Sequence, residues 1–149
     1  MRRVIEVMAS SSSSEVEAAA FAPEALVAQG SSANYQDLIR EVILETSEAG
    51  DAVIVAHAAS MALGARDDVL RVLVTASEAK RCERLEAAAG LSEPDAMKEI
   101  AEADGERASY IERFYGIKEE LPTHYDLVVN TDILSLAAAA QIVVDAAKA

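Results

Sequence analysis

The sequence predicts an α/β fold, a mainly parallel sheet flanked by helices, in one domain spanning residues 1–149. Three short runs, "AVIVAHA" (Ala52–Ala58), "VLRVLVTA" (Val69–Ala76) and "YDLVVNTD" (Tyr125–Asp132), are rich in β-branched residues and read as strands buried on both faces. Segments of helical periodicity alternate with them, which is the pattern of a layered parallel sheet. A length of 149 residues with 52% hydrophobic composition supplies one compact core and argues against a second domain.

The first apolar run, Val4 to Met8, fits two readings. Glu6 would interrupt a central strand, and Val4, Val7 and Met8 fit a helix stripe equally well. Five serines, Ser10 to Ser14, follow, and then a helix-forming segment from Glu15. Serine caps helices, and a strand, serine turn and helix N-terminus would make a modest anion site at Ser12, Ser13 and Ser14. Against that, Glu15 and Glu17 already place negative charge at the same helix end, and no glycine is present to let the backbone wrap a phosphate. A plain loop or cap is the competing reading.

A helix is expected over Tyr35–Ala49, with Leu38, Ile39, Val42, Ile43 and Thr46 on one face, Asn34 as its cap and Gly50 at its left-handed end. Between His57 and Val69 only about a dozen residues, including "MALGARDD", connect two parallel strands, a short crossover. The difficulty disappears if another strand lies between them, and Val4–Met8 is the free candidate. The serines would then sit at the carboxyl end of a central strand, where doubly wound sheets bind ligands. Ser77 caps a helix closed by Gly90, and Ser92 with Asp95 opens a longer one reaching Phe114. Met97, Ile100, Ile111 and Phe114 form its expected buried stripe, and Gly105 marks an expected break. Residues Ile117–His124 read as a loop, and Ser135–Ala147 as a last amphipathic helix with Ile142, Val143 and Val144 inward.

A formal charge of −13 opposes extended contact with nucleic acid or anionic membrane, while leaving room for one small anion. Basic residues concentrate in one stretch: Lys80, Arg81, Arg84, Lys98, Arg107, Arg113 and Lys118. Their surrounding carboxylates fit a solvated surface laced with ion pairs. Cys82 is the single cysteine, which excludes an internal disulfide and suits a small buried hydrophobe. With no long apolar run and no signal-peptide pattern, a soluble cytoplasmic protein is expected. Neither histidine sits in a pattern of metal ligands, and no metal site is predicted.

With these elements in place, the second half of the chain resembles the cytidylate kinase-like branch of the P-loop nucleoside monophosphate kinases. The resemblance rests on "AVIVAHA", "VLRVLVTASEAKRCERL", "IAEADGERASYIERFYG" with its Asp-x-x-Arg-x-x-Tyr pattern, and "YDLVVNTDILS", and covers about Tyr35 to Val144. It implies a P-loop kinase layout and transfer of the γ-phosphoryl of ATP, with Mg²⁺, to a pyrimidine nucleoside monophosphate. It further implies Arg107 and Arg84 as catalytic phosphate contacts and His57, Asp104 and Arg113 as substrate-binding residues. His57 stands where the family has the arginine of Gly-Arg-Gly, flanked here by Ala56 and Ala58. No G-x-x-x-x-G-K-[ST] or Gly-Ser-Gly-Gly-type loop is present, and the first lysine is Lys80. Residues 1–33 therefore read as a degenerate or atypical N-terminal segment, from a late-starting fragment or a domain that has lost its loop. Either way, catalysis is expected to be weakened or lost. The alternative is a non-catalytic nucleotide-binding or interaction module, a homo-oligomer whose partner covers a central sheet edge left without its first strand.

Overall fold

The computed structural model describes residues 4–9, 32–55 and 58–149. Ser12, Ser13 and Ser14, the helix expected from Glu15, and His57 lie outside the described residues.

Four strands form one parallel sheet in the order β2-β1-β3-β4: β1 (Val4–Ala9), β2 (Val53–Ile54), β3 (Val69–Thr75) and β4 (Leu127–Asn130). Strand β1 fills the slot between β2 and β3, pairing Ile5 with Val53 on one side and Val4 through Ala9 with Val69 through Val74 on the other. This settles the short-crossover problem in favour of the strand reading of Val4–Met8. It also removes the expectation of a central edge lacking its first strand. Of the expected run over Ala52–Ala58, Val53 and Ile54 are in the ladder and Val55 is not, while Ala56 and His57 lie outside the described residues.

Alternation along β3 divides the core. Leu70, Val72 and Val74 point to one face, where Val72 is fully buried with Val129 of β4 and with Ala139 and Val143 of α5 (Leu136–Lys148). Val69 faces the other way, into a cluster with Ile43 of α1 (Ser32–Ala49), Ile54 of β2, and Ala59, Ala62 and Leu63 of α2 (Ala59–Leu63). Helices thus cover both faces, as the apolar strands require. The short helix α2 was not expected. It follows Ala58, which is fully buried and holds φ at 59°, a left-handed conformation that L residues other than Asn and Asp seldom adopt.

The helices after β3 follow their caps. Ser77 Oγ accepts from Lys80 N to start α3 (Glu78–Ala89), and Gly90 ends it at φ 67°. Ser92 Oγ accepts from Asp95 N to start α4 (Glu93–Tyr115), and Ser135 Oγ accepts from Ala138 N to start α5. Three expectations are corrected. Helix α4 runs unbroken through Gly105, whose cost of roughly 1 kcal/mol is outweighed by packing of Ala96 and Ile100 against Cys82 of α3. Helix α1 begins at Ser32, before Asn34, and leaves Leu38, Ile39 and Val42 exposed while Ile43 and Ser47 are buried. In α5 only Val143 of the expected trio is buried. Successive helical residues point about 100° apart, so Ile142, Val143 and Val144 cannot share one face.

Cys82 is buried at the α3–α4 contact, and burial pushes its thiol pKa up, as expected for a packing residue. No helix among the described residues is long and apolar enough to cross a membrane.

Candidate functional site

At the carboxyl end of β3 a cleft of about 260 Å³ opens between the strand, α3, α4 and the loop over residues 117–124. Its floor is apolar, with Leu73, Ile111 and Ile117, and its walls carry Arg81, Asp104, Arg107, Lys118 and Glu120. Three cations thus face two carboxylates.

The unbroken course of α4 sets the first part of this geometry. Asp104 and Arg107, three residues apart, project from neighbouring positions of one helix face. Asp104 receives both Nη1 and Nη2 of Arg81 from α3, at 2.7 and 2.6 Å. The hydrogen bond from Arg81 holds the Asp104 carboxyl below its ordinary range. Arg81 Nε is buried and has no hydrogen-bond partner.

Arg107 reaches the other way. Its Nε and Nη2 donate to Glu120 at 2.8 and 2.5 Å, and Nη2 also donates to the Tyr125 hydroxyl at 3.2 Å. The Tyr125 hydroxyl in turn donates to Glu120 Oε1. Lys118, by contrast, is exposed and forms no ion pair among the described residues.

Of the residues singled out from the sequence, Asp104 and Arg107 line the cleft. Arg84 does not: its Nη1 and Nη2 donate to Oγ1 and the carbonyl oxygen of Thr131, just past β4, at 3.0 and 2.6 Å. Arg113 lies outside the lining too, over the ring of Phe114 at 5.1 Å. His124 Nδ1 accepts from Leu121 N and so braces the turn Pro122–His124 inside the expected loop. Sequence reading missed Arg81, Lys118 and Glu120 as site residues. For Arg81 a signal existed, since it stands one turn nearer than Arg84 to the carboxyl end of the strand, where ligands bind in open parallel sheets. Lys118 and Glu120 carry no such signal, because a charged loop residue shows its neighbours only after folding.

Among the described residues no three His, Cys, Asp or Glu side chains gather closely enough to hold a metal ion.

Below the cleft, the Arg71 guanidinium donates to Asp126 at 3.0 and 2.7 Å and holds its carboxyl below the ordinary range, with Arg71 N adding a further hydrogen bond. A carboxyl whose folded pKa lies below its unfolded value of about 3.9 stabilises the fold above that value and ceases to as pH falls through the folded pKa. Asp104 and Asp126 both act in this sense. Stability measured by chemical denaturation is therefore expected to hold from neutrality to about pH 5 and to decline below about pH 4. Asp126→Asn should make that decline shallower, and an unchanged profile would remove Asp126 from the account. Both carboxylates are partly exposed, so solvent screening keeps each contribution small.

The family model of the cytidylate kinase-like family matches residues 1–133. No curated protein matches the chain. Among solved structures, the crystal structure of an uncharacterized protein from Eubacterium ventriosum ATCC 27560 superposes with a TM-score of 0.64 at 18% identity, covering 75% of this chain. The chain spans 62% of that protein's length, and a likeness at this identity concerns the fold alone.

Proposed function

Because the chain belongs to the cytidylate kinase-like family, we propose that it binds a pyrimidine nucleoside monophosphate in the cleft at the end of β3, and that phosphoryl transfer from ATP is slow. The observation that carries this reading is the convergence of Arg81, Arg107 and Lys118 on one cleft at the carboxyl end of a parallel strand. Phosphoryl transfer needs positioning and charge stabilisation more than covalent chemistry, and guanidinium groups match phosphate oxygens in shape and charge. In this reading Arg107 and Lys118 meet the phosphate, and Arg81 with Asp104 meets the rest of the nucleotide.

Mg²⁺ would enter with ATP, bound mainly through the phosphate oxygens. The P-loop kinase layout is part of the proposal, and so is the loss of rate. Without a glycine-rich loop the donor phosphates lack a ring of backbone amides. Removing even one such preorganised donor from an anion hole costs roughly 10²- to 10³-fold. Binding therefore outlasts turnover.

The test is calorimetric titration of the purified chain with CMP and, separately, with ATP·Mg²⁺, followed by a coupled kinase assay. Saturable CMP binding with slow turnover is expected, and flat traces for both nucleotides would overturn the reading. A second reading, a self-associating module without catalysis, draws on exposed apolar side chains at the corner between β4 and α5. There Ile133 is 97% and Leu136 68% exposed. A monomer in light scattering at micromolar concentration would remove it.

A further inference from the structure

We propose that Glu120 and Tyr125 are positioning residues for Arg107, fixing its guanidinium at the cleft wall so that it meets a phosphate already oriented. This rests on the nucleotide-binding reading above.

The three side chains come from three parts of the fold: Arg107 from the middle of α4, Glu120 from the loop after it, and Tyr125 from the residue pair before β4. Each of the three is bonded to both others. Glu120 takes the Nε and Nη2 donors of Arg107 in the two-point geometry that a planar guanidinium and a carboxylate favour. Tyr125 Oη accepts from Arg107 and donates to Glu120. The group is also sheltered: the Arg107 and Glu120 side chains are 16% and 21% exposed, and Tyr125 is 6% exposed. The second pair in the cleft shares the two-point contact and an arginine 16% exposed, but its carboxylate, Asp104, is 47% exposed and no third side chain is hydrogen-bonded to both partners.

A long, flexible arginine loses affinity when it must be ordered on binding, and a clamp of this kind orders it beforehand. Tying the loop to α4 would need only the ion pair. The hydroxyl of Tyr125, bonded to both partners, limits rotation of the guanidinium about that pair.

The experiment uses the full chain with Tyr125→Phe and Glu120→Gln, measuring CMP by calorimetry and cytidine by competition against it. Tyr125→Phe keeps the buried ring and removes one hydroxyl, so it remains informative if Glu120→Gln does not fold. Tyr125→Phe is expected to weaken CMP about three- to ten-fold and Glu120→Gln by about ten-fold or more, with cytidine affinity unchanged in both. Equal losses for CMP and cytidine, or an unchanged CMP affinity in Tyr125→Phe, would overturn the positioning role and leave the nucleotide reading standing. Absence of CMP binding in the unsubstituted chain would overturn both.

Discussion

Arg107→Ala is expected to lower CMP affinity by about 10- to 100-fold and any measurable turnover by about 10²- to 10³-fold. Arg107 lies in the cleft, sits in the Asp-x-x-Arg-x-x-Tyr segment, and is held there by two other side chains. Truncation also leaves the Glu120 carboxylate without its cation. Glu120 keeps the Tyr125 hydroxyl and is 21% exposed, so water reaches it and the expected stability loss is only about 1–2 kcal/mol. The disproportion between the two effects is what the measurement reads. Calorimetry and thermal unfolding on the same preparation give both, and a binding loss no larger than the stability loss would return Arg107 to a structural role.

The parts of this molecule that were legible in the sequence are those set by local rules. Ser77, Ser92 and Gly90 mark helix ends through hydrogen bonds and backbone angles within four residues, and the structure places the ends there. The place of β1 was legible from topology, because a crossover of about a dozen residues between β2 and β3 left room for an intervening strand. Other features depend on what each segment meets after folding. Gly105 lowers helix propensity, but the contacts of Ala96 and Ile100 on one side and Ile111 on the other hold both halves of α4 in line. In α1, Ile43 alone of the expected stripe of Leu38, Ile39, Val42, Ile43 and Thr46 is buried, and Ser47, one turn on, faces the core with it.

The candidate site divides in the same way. Asp104 and Arg107 are three residues apart on a helix, so their shared face follows from the sequence. Their partners do not. Arg81 lies 23 residues from Asp104, and Glu120 lies 13 from Arg107. With 26 acidic residues in the chain, charge alone gives no reason to choose Asp104 for Arg81 or Glu120 for Arg107. Only the antiparallel contact of α3 with α4, fixed by Cys82, Ala96 and Ile100, selects the first pair, and only the return of the loop toward β4 selects the second.

Arg84→Ala should show the opposite signature to Arg107→Ala: a loss of roughly 2–3 kcal/mol in stability with CMP affinity unchanged. Thr131 is 2% exposed and joins the ends of β3 and β4, its N and Oγ1 both bonding the Thr75 carbonyl at 2.8 and 3.0 Å. Arg84 serves the remaining capacity of that residue, donating to Oγ1 and to the carbonyl oxygen. Truncation leaves this buried carbonyl without its charged donor, and the cost of an unsatisfied buried acceptor is about 1–3 kcal/mol. Arg84→Lys should recover little, because a single ammonium cannot reproduce a two-nitrogen contact. The resemblance assigns Arg84 and Arg107 the same catalytic duty, whereas their surroundings assign one to a strand joint and the other to a cleft. Chemical denaturation and CMP titration of Arg84→Ala separate these outcomes. A binding loss comparable to that of Arg107→Ala would extend the ligand's contacts beyond the cleft to the end of β4.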